Sequence, residues 1–255
     1  MKLSVRESGD PRGLPVVLLH AFPLSGAMWE PQREALKGFR TLAVDLRGFG
    51  GTPPSAPWFI EHAVDDLFET LTALAVDKAV LVGLSLGGYV ALRAVEKFPA
   101  RVRALVLCDT RAEADGNEAK LKRAAAVDFV RAHGTAAFAR PFLNDALAPK
   151  TLAEKPAVFE FLRGLAEQAA PEAVTAALAA LAARADMLSA LPRVTVPTCV
   201  LVGAQDKITP LPLAEIIRSR VPGAELHVIP DAGHFSSVEN PAVFNDRLVS
   251  FLNRL

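Results

Sequence analysis

Short apolar runs alternate with segments of helical periodicity along most of the chain. Val16 to Leu19 is a continuous apolar run, which is typical of a strand that is covered on both faces. Between such runs apolar residues recur at helical spacing, as at Val64, Leu67 and Leu71. Strands that alternate with helices predict a doubly wound, mostly parallel α/β sheet. We predict strands at 2–8, 16–19, 40–44, 79–82, 102–107, 198–202 and 225–229.

The stretch from Asp109 to Pro197 interrupts this alternation. It carries an alanine-rich helical pattern that prolines punctuate, and no strand signal. A crossover between parallel strands needs only about a dozen residues, so a stretch this long predicts a helical insertion on the sheet. We therefore expect a core domain of residues 1–110 and 191–255, with a helical cap over residues 111–190.

Composition and charge exclude several classes of protein. The 255 residues are 51% hydrophobic, which excludes a disordered chain. The 28 basic residues balance the 28 acidic ones, which argues against a nucleic-acid partner or a polybasic membrane anchor. No apolar run approaches the ~18 residues of a membrane span, and the first residues lack the apolar region of a signal peptide. We expect a cytoplasmic protein with no nucleic-acid partner and no membrane partner.

The two cysteines, Cys108 and Cys199, each lie inside a strand-like apolar run. That placement is typical of buried thiols in a reducing compartment. Neither belongs to a C-x-x-C pair, and no H-x-H-x-D or H-E-x-x-H cluster occurs. We therefore expect no metal site.

The segment Gly83-Leu84-Ser85-Leu86-Gly87 is a G-x-S-x-G between a predicted strand and a predicted helix. Such a turn needs glycine at both ends, because a Cβ there would meet the neighbouring strand and helix. The turn raises the serine hydroxyl above the sheet at a helix N-terminus, where backbone N–H groups favour developing negative charge. A glycine-rich turn with an N-capping serine is the alternative interpretation. The strand–turn–helix context favours Ser85 as a nucleophile.

A serine nucleophile needs a base, and His234 is the best placed of the five histidines. It lies in Asp231-Ala-Gly-His-Phe after the last predicted strand, at the edge where open α/β sheets bind ligands. The other four are expected to brace loops, pack in helices or strands, or face solvent: His20, His62, His133 and His227.

Two aspartates compete to orient that histidine. Asp206 follows the strand at 198–202, and Asp109 follows the strand at 102–107. Both positions can reach the same imidazole. We favour Asp206, because a flexible Gly203-Ala204-Gln205 lead-in precedes it and Pro210 closes its loop. The resulting order of serine, aspartate and histidine is that of the α/β-hydrolases.

Three further motifs strengthen this resemblance to the α/β-hydrolase fold. His20-Ala-Phe-Pro resembles the H-G-x-P oxyanion loop, and Asp45-Leu-Arg-Gly-Phe-Gly resembles the D-x-R-G-x-G loop. Gly233-His234 with Glu239-Asn-Pro241 resembles the G-H…E-x-P ending. The resemblance covers essentially the whole length outside the insertion. Because only one predicted strand precedes Val16, where the family usually has two, we expect seven strands.

The resemblance also implies site residues and a reaction. It makes the backbone N–H groups of Phe22 and Leu86 the oxyanion hole, and it requires no cofactor. A serine nucleophile excludes the aspartate-dependent dehalogenases and epoxide hydrolases of the family, so we expect a serine carboxylesterase acting on small to medium esters. The run Leu105-Val-Leu-Cys-Asp-Thr-Arg-Ala resembles a segment of 3-oxoadipate enol-lactonases, so a lactonase is the first alternative. A slow ligand sensor, a carbon–carbon bond hydrolase and a hydroxynitrile lyase also remain open.

The substrate pocket should be apolar. No cluster of arginine or lysine marks an anion site, and Arg111 and Arg140 are the only cap candidates for one. Large apolar side chains occur in three places: after the first parallel strand, after the Asp45 loop, and in the predicted cap. We expect the pocket lining to include Met28, Trp29, Trp58, Phe138 and Phe142.

Overall fold

A computed structural model describes residues 1–55 and 57–255 of the chain. Seven strands form one sheet in the order β1-β3-β2-β4-β5-β6-β7. β1 runs antiparallel to β3, and every other pair of neighbours is parallel, so the predicted seven-stranded, mostly parallel sheet is confirmed. The strands are β1 (Ser4–Gly9), β2 (Pro15–Leu19), β3 (Arg40–Asp45), β4 (Ala79–Leu84), β5 (Val102–Cys108), β6 (Thr198–Gly203) and β7 (Glu225–Ile229).

Helices cover both faces of this sheet, which explains why its central strands are continuously apolar. Every residue of β4 and of β6 is buried. One face packs against α1 (Ile60–Ala73), α2 (Leu86–Lys97) and α7 (Leu211–Arg220). The other face packs against a 3₁₀ segment, Gly26–Gln32, and α9 (Pro241–Leu252), which follows the short helix α8 (Ser236–Glu239).

The interval between β5 and β6 holds four α-helices, one short 3₁₀ segment (Leu191–Arg193) and no strand, and all of it is described. Three of these helices begin at a proline, whose fixed φ and missing N–H suit the first helical position. Among the described residues, no helix combines the length and the apolar character needed to cross a membrane. The assignment of residues 111–190 to a separate cap stays a prediction. The inserted helices are α3 (Asn117–Ala146, interrupted at Gly134), α4 (Pro149–Glu154), α5 (Pro156–Glu167) and α6 (Pro171–Ala183).

A buried carboxylate joins the two chain segments that connect these inserted helices to the sheet. Asp115 lies 2.8 Å from an Nη of Arg111 before α3, and 2.8 Å from an Nη of Arg184 after α6. It also pairs with Arg123. Burial alone would raise the pKa of Asp115, but the arginines lower it below its ordinary value. The Arg184 guanidinium also lies over the ring of Tyr89 in α2, 4.4 Å from its centroid, and so anchors this junction to the core.

Candidate active site

Ser85 occupies the turn between β4 and α2 with a φ of +52°, a backbone conformation that L-residues rarely adopt. Its N–H donates to the carbonyl of Cys108 at 2.9 Å, which ties the turn to the end of β5. A Cβ at Gly83 would lie 2.3 Å from the Gly87 carbonyl oxygen, and a Cβ at Gly87 would lie 2.1 Å from that of Leu19. Only glycine fits at these two positions, so the strand–turn–helix geometry required by G-x-S-x-G is present.

Three side chains converge at the carboxyl ends of β4, β6 and β7. The Nε2 atom of His234 lies 2.9 Å from Ser85 Oγ, and its Nδ1 atom lies 2.9 Å from Asp206 Oδ2. His234 is 1% exposed, Ser85 is 9% exposed and Asp206 is 5% exposed. Electrostatic interactions in such a shielded place are stronger than in water. The geometry is that of a nucleophile, a base and an orienting carboxylate.

The Asp206 carboxylate is held in its ionised form. Burial alone would raise its pKa, but the adjacent His234 and the hydrogen bonds from Thr209 lower the pKa of Asp206 to about 2. The Thr209 hydroxyl donates to Oδ2 at 2.6 Å, and the N–H of Ile208 donates to Oδ1 at 2.8 Å. Because an ionised carboxylate only accepts, Nδ1 of the imidazole carries the proton. Nε2 is then free to accept a proton from Ser85.

The rival carboxylate, Asp109, has other partners. Its Oδ1 atom accepts the N–H of Gly203 at 2.7 Å, and its Oδ2 atom accepts the hydroxyl of Ser236. Burial, and secondarily the nearby Asp206 charge, raise the pKa of Asp109 well above its ordinary value. Asp109 therefore joins the end of β6 to the start of α8. The structure brings Asp206, and not Asp109, into hydrogen-bond contact with the imidazole of His234.

Glu239 supports the histidine loop, a contact that the sequence motif alone did not reveal. Its Oε1 atom accepts the backbone N–H groups of Gly233 and Phe235, which flank the histidine, at 2.9 and 3.1 Å. Its Oε2 atom accepts the N–H of Ala148 at 2.8 Å and the hydroxyl of Thr151 at 2.7 Å. One fully buried carboxylate thus connects the histidine loop to the inserted helices.

Glu239→Gln should lower the free energy of unfolding by about 2–5 kcal/mol, because an amide nitrogen replaces one acceptor and leaves buried donors unpaired. Urea unfolding measures this loss. Asp231→Asn is the matched control, since Asp231 lies in the same loop but pairs with Lys150 at the surface. Equal stability of the two variants would contradict a bracing role for Glu239.

The two predicted oxyanion donors follow neighbouring strands of the sheet, β2 and β4. Leu86 is the first residue of α2, so its N–H is among those that a helix leaves without an intrahelical partner. Phe22 follows β2, the strand that pairs with β4 next to the nucleophile turn. The assignment of these two N–H groups to an oxyanion hole stays a prediction.

His20 braces the loop that carries Phe22. Its Nδ1 lies 2.9 Å from the Ala21 carbonyl, and the N–H of Leu46 donates to its Nε2 at 3.0 Å. The first contact needs a proton on Nδ1 and the second needs none on Nε2, so the ring is neutral. Burial lowers the pKa of His20 to about 4. The sequence-based view of His20 as a loop-bracing residue agrees with these contacts.

This depressed pKa predicts a loss of stability in mild acid. Between pH 6.5 and about 4 the unfolded chain protonates His20 and the folded chain does not, so stability falls as the pH decreases. The full contribution of this residue is about 3 kcal/mol over that window. Urea unfolding of wild type and His20→Gln between pH 4.5 and 7 measures it, with His62→Gln as a control. A wild-type slope that persists in His20→Gln would contradict the assignment.

Three phenylalanines form an aromatic cluster beside the triad. The rings of Phe138 and Phe142 stack with centroids 5.6 Å apart, and the ring of Phe22 meets both edge-on at about 6 Å. Phe142 contacts Phe235, whose ring lies 5.5 Å from that of His234. The structure therefore connects Phe142 to the histidine loop through Phe235, and Phe138 to Phe142, while their place in the pocket stays a prediction.

The other three predicted pocket residues are buried, and their place in the pocket stays a prediction. Met28 Sδ accepts the N–H of Ala21 at 3.2 Å, next to the loop of Phe22. The ring of Trp29 packs against Phe244 of α9, with centroids 6.2 Å apart. Trp58 is 2% exposed and belongs to the core on the other face of the sheet from Met28 and Trp29.

Comparison with known proteins identifies the family of this fold. A family model described as the alpha/beta hydrolase fold matches residues 15–241. A Variovorax paradoxus (strain S110) protein that carries the name of a carbamate hydrolase, RutD, is 30% identical over 100% of this chain and 97% of its own. The 3-oxoadipate enol-lactonase 1 of Acinetobacter baylyi (strain ATCC 33305 / BD413 / ADP1) is 28% identical over 95% of this chain and 90% of its own. The structure of a thermophilic esterase from Thermogutta terrifontis superposes with a TM-score of 0.95 at 38% identity, covering 99% of this chain and 93% of that one. The chain therefore belongs to the α/β-hydrolase fold family.

Proposed function

We propose that the protein is a serine hydrolase that cleaves small to medium carboxylic esters through an acyl-enzyme. The observation that carries this proposal is the continuous hydrogen-bonded series from Ser85 Oγ to His234 to Asp206, with both contacts at 2.9 Å. The esterase and enol-lactonase among the similar proteins support hydrolysis at an ester carbonyl.

The first half of the reaction acylates the serine. His234 Nε2 takes the hydroxyl proton as Ser85 Oγ attacks the ester carbonyl, and Asp206 stabilises the imidazolium that forms. The tetrahedral intermediate collapses when the imidazolium gives its proton to the leaving alkoxide. The acyl group is then bonded to Ser85 Oγ, and the alcohol departs.

The second half returns the enzyme to its starting state. His234 takes a proton from water, and the resulting hydroxide attacks the acyl carbonyl. Collapse of the second tetrahedral intermediate releases the carboxylic acid and returns the proton to Ser85 Oγ. In both halves the oxyanion faces the N–H groups of Phe22 and Leu86, and one such donor is worth about 2.7–4 kcal/mol.

A neutral substrate suits the described surroundings better than an anionic one. The aromatic cluster of Phe22, Phe138 and Phe142 offers apolar contact, and its Phe142 ring packs against Phe235 next to the histidine. Both predicted cap cations have partners elsewhere: Arg111 pairs with Asp115, and Arg140 lies over the ring of Phe159. An apolar acyl group therefore fits this site better than a carboxylate.

A lactonase is the second candidate. The resemblance of residues 105–112 to enol-lactonases and the 28% identity to one of them favour it. A lactone is an internal ester, so the same attack by Ser85 opens its ring. Neutral lactones suit this site better than anionic ones, because Arg111 and Arg140 already have other partners.

Multiple-turnover hydrolysis of p-nitrophenyl acetate, butyrate and octanoate tests the proposal, with a carbamate and a set of neutral lactones assayed beside them. Sustained turnover that Ser85→Ala abolishes supports the esterase. A single stoichiometric burst, or no release on any substrate, would contradict it and favour a ligand sensor. A higher kcat/KM for lactones than for open esters would favour the lactonase.

A pair of phenylalanine variants locates the acyl group. Phe142→Ala should raise KM for butyrate and octanoate more than for acetate, because it removes apolar surface beside the histidine. Phe129→Ala is the control, since that ring precedes the interruption of α3 at Gly134 and is 42% exposed. An unchanged chain-length profile in Phe142→Ala would place the acyl group elsewhere.

A further inference from the structure

Three potential metal ligands meet on β6 and β7, at the end of these strands opposite to the triad. Cys199 and Glu225 are register partners on the two strands, and His227 lies two residues further along β7. Residues two apart on a strand point to the same face, so all three side chains share one face. Their ligand atoms all lie within 4.8 Å of one another, and His227 Nε2 is 3.6 Å from Glu225 Oε1.

We propose that Cys199, Glu225 and His227 bind a divalent cation of the Zn²⁺ class. Thiolate, imidazole and carboxylate together are the ligand set that Zn²⁺ prefers, whereas Mg²⁺ and Ca²⁺ prefer oxygen alone. Three protein ligands leave a fourth tetrahedral position for water. Binding replaces the Cys199 S–H bond with an S–metal bond and releases the proton to solvent.

The surroundings of the cluster allow the ion to enter. The side chains of Glu225 and His227 are each 31% exposed, whereas Cys199 is fully buried beneath them. The cation therefore meets the carboxylate and imidazole first and reaches the sulfur last.

Arg254 is the one described cation that competes for this site. Its Nη2 atom lies 2.6 Å from Glu225 Oε1, but its side chain is 57% exposed. An exposed ion pair of this kind contributes little, so a divalent cation can displace the guanidinium. The guanidinium nevertheless lowers the apparent affinity of the site for the cation. A variant without this arginine should therefore bind the cation more tightly.

The site is separate from the proposed catalytic centre. Cys199 is the second residue of β6, and Gly203 at the other end of the strand precedes the Asp206 loop. Four residues of strand span about 13 Å. Metal at the cysteine should therefore leave ester hydrolysis unchanged at one equivalent, and this inference is independent of the proposed function.

Titration of chelator-treated full-length protein with Co²⁺ tests the proposal directly. One equivalent should produce a near-ultraviolet thiolate-to-cobalt charge-transfer band and tetrahedral visible bands, and Zn²⁺ should displace the cobalt. The triad contains no cysteine, so a thiolate band cannot come from His234 and Asp206. Absence of any thiolate band at saturating Co²⁺ would overturn the proposal.

Matched variants identify the ligands. Cys199→Ser should abolish the thiolate band, and His227→Gln should weaken Co²⁺ binding by about 100-fold. Cys108→Ser is the matched control, since it is the other buried cysteine on the same face, and it should keep the band. A band lost in Cys108→Ser and kept in Cys199→Ser would overturn the assignment.

Replacing Arg254 tests the site without changing a buried residue. Arg254→Ala changes an exposed side chain, and it should strengthen Co²⁺ binding by about two- to fivefold because the Glu225 carboxylate loses its competing partner. Zn²⁺ should also raise the Tm of wild type and raise that of His227→Gln less. Unchanged or weaker Co²⁺ binding in Arg254→Ala would argue against Glu225 as a ligand.

Discussion

Replacing Ser85 with alanine should lower kcat for p-nitrophenyl butyrate by about 10⁴-fold or more. In the proposed mechanism Ser85 Oγ is the atom that bonds to the acyl group, and among the described residues no other hydroxyl lies against His234 Nε2 at 2.9 Å. Without it the remaining groups can only assist direct attack by water. Single-turnover and steady-state kinetics on the purified variant measure the loss.

The control for this substitution is Ser237→Ala. Ser237 is also a buried serine, and its hydroxyl has no hydrogen-bond partner among the described residues. It should keep wild-type kcat. A fluorophosphonate probe should label wild type and Ser237→Ala but not Ser85→Ala, whereas retained turnover in Ser85→Ala would move the nucleophile elsewhere.

Asp206→Asn should lower kcat by about 10⁴-fold, with KM changing much less. The neutral amide cannot stabilise the imidazolium, and its NH₂ group can donate to Nδ1 and so favour the tautomer that places the proton on Nε2. The Thr209 hydroxyl and backbone N–H groups that now hold the carboxylate also lose an acceptor. Steady-state kinetics at several pH values measures the loss of kcat.

Asp109→Asn is the informative comparison, because it too replaces one carboxylate oxygen with an NH₂ group, but in the rival aspartate. We expect a change in kcat of less than about tenfold and an altered free energy of unfolding, since Asp109 bonds to Gly203 and Ser236 rather than to the imidazole. Burial raises the pKa of Asp109 well above its ordinary value, so a neutral amide suits this position better than it suits position 206. A larger fall in kcat for Asp109→Asn than for Asp206→Asn would reverse the assignment.

The arrangement of elements could be predicted from the sequence because it depends on local patterns. Continuous apolar runs identified six of the strands, and a loosely alternating segment at 2–8 identified the edge strand β1. The glycines around Ser85 identified the turn, since a Cβ at Gly83 or Gly87 has no room. Pro241 begins α9, where the fixed φ and missing N–H of proline suit the first helical position. Each of these features is decided within a few residues by burial or by backbone sterics.

The contacts of the pocket residues could not be predicted in this way. Trp29 and Phe142 are equally apolar in the sequence, yet one packs against α9 and the other lies beside the histidine loop. Which side of an inserted helix faces the sheet depends on how the helix docks. The packing of such a helix on the sheet depends on contacts between residues far apart in the chain, and the spacing of apolar residues along the helix does not reveal these contacts.

The sequence by itself determined the α/β architecture, the serine turn and the family resemblance, because glycine sterics and apolar periodicity act locally. Only the tertiary structure decided between Asp206 and Asp109, since both follow parallel strands and only loop geometry directs one to Nδ1. It also revealed Glu239 as the brace between the histidine loop and a helix 88 residues away in the chain. The cluster of Cys199, Glu225 and His227 depends likewise on the register of β6 against β7, which no spacing along a single strand encodes.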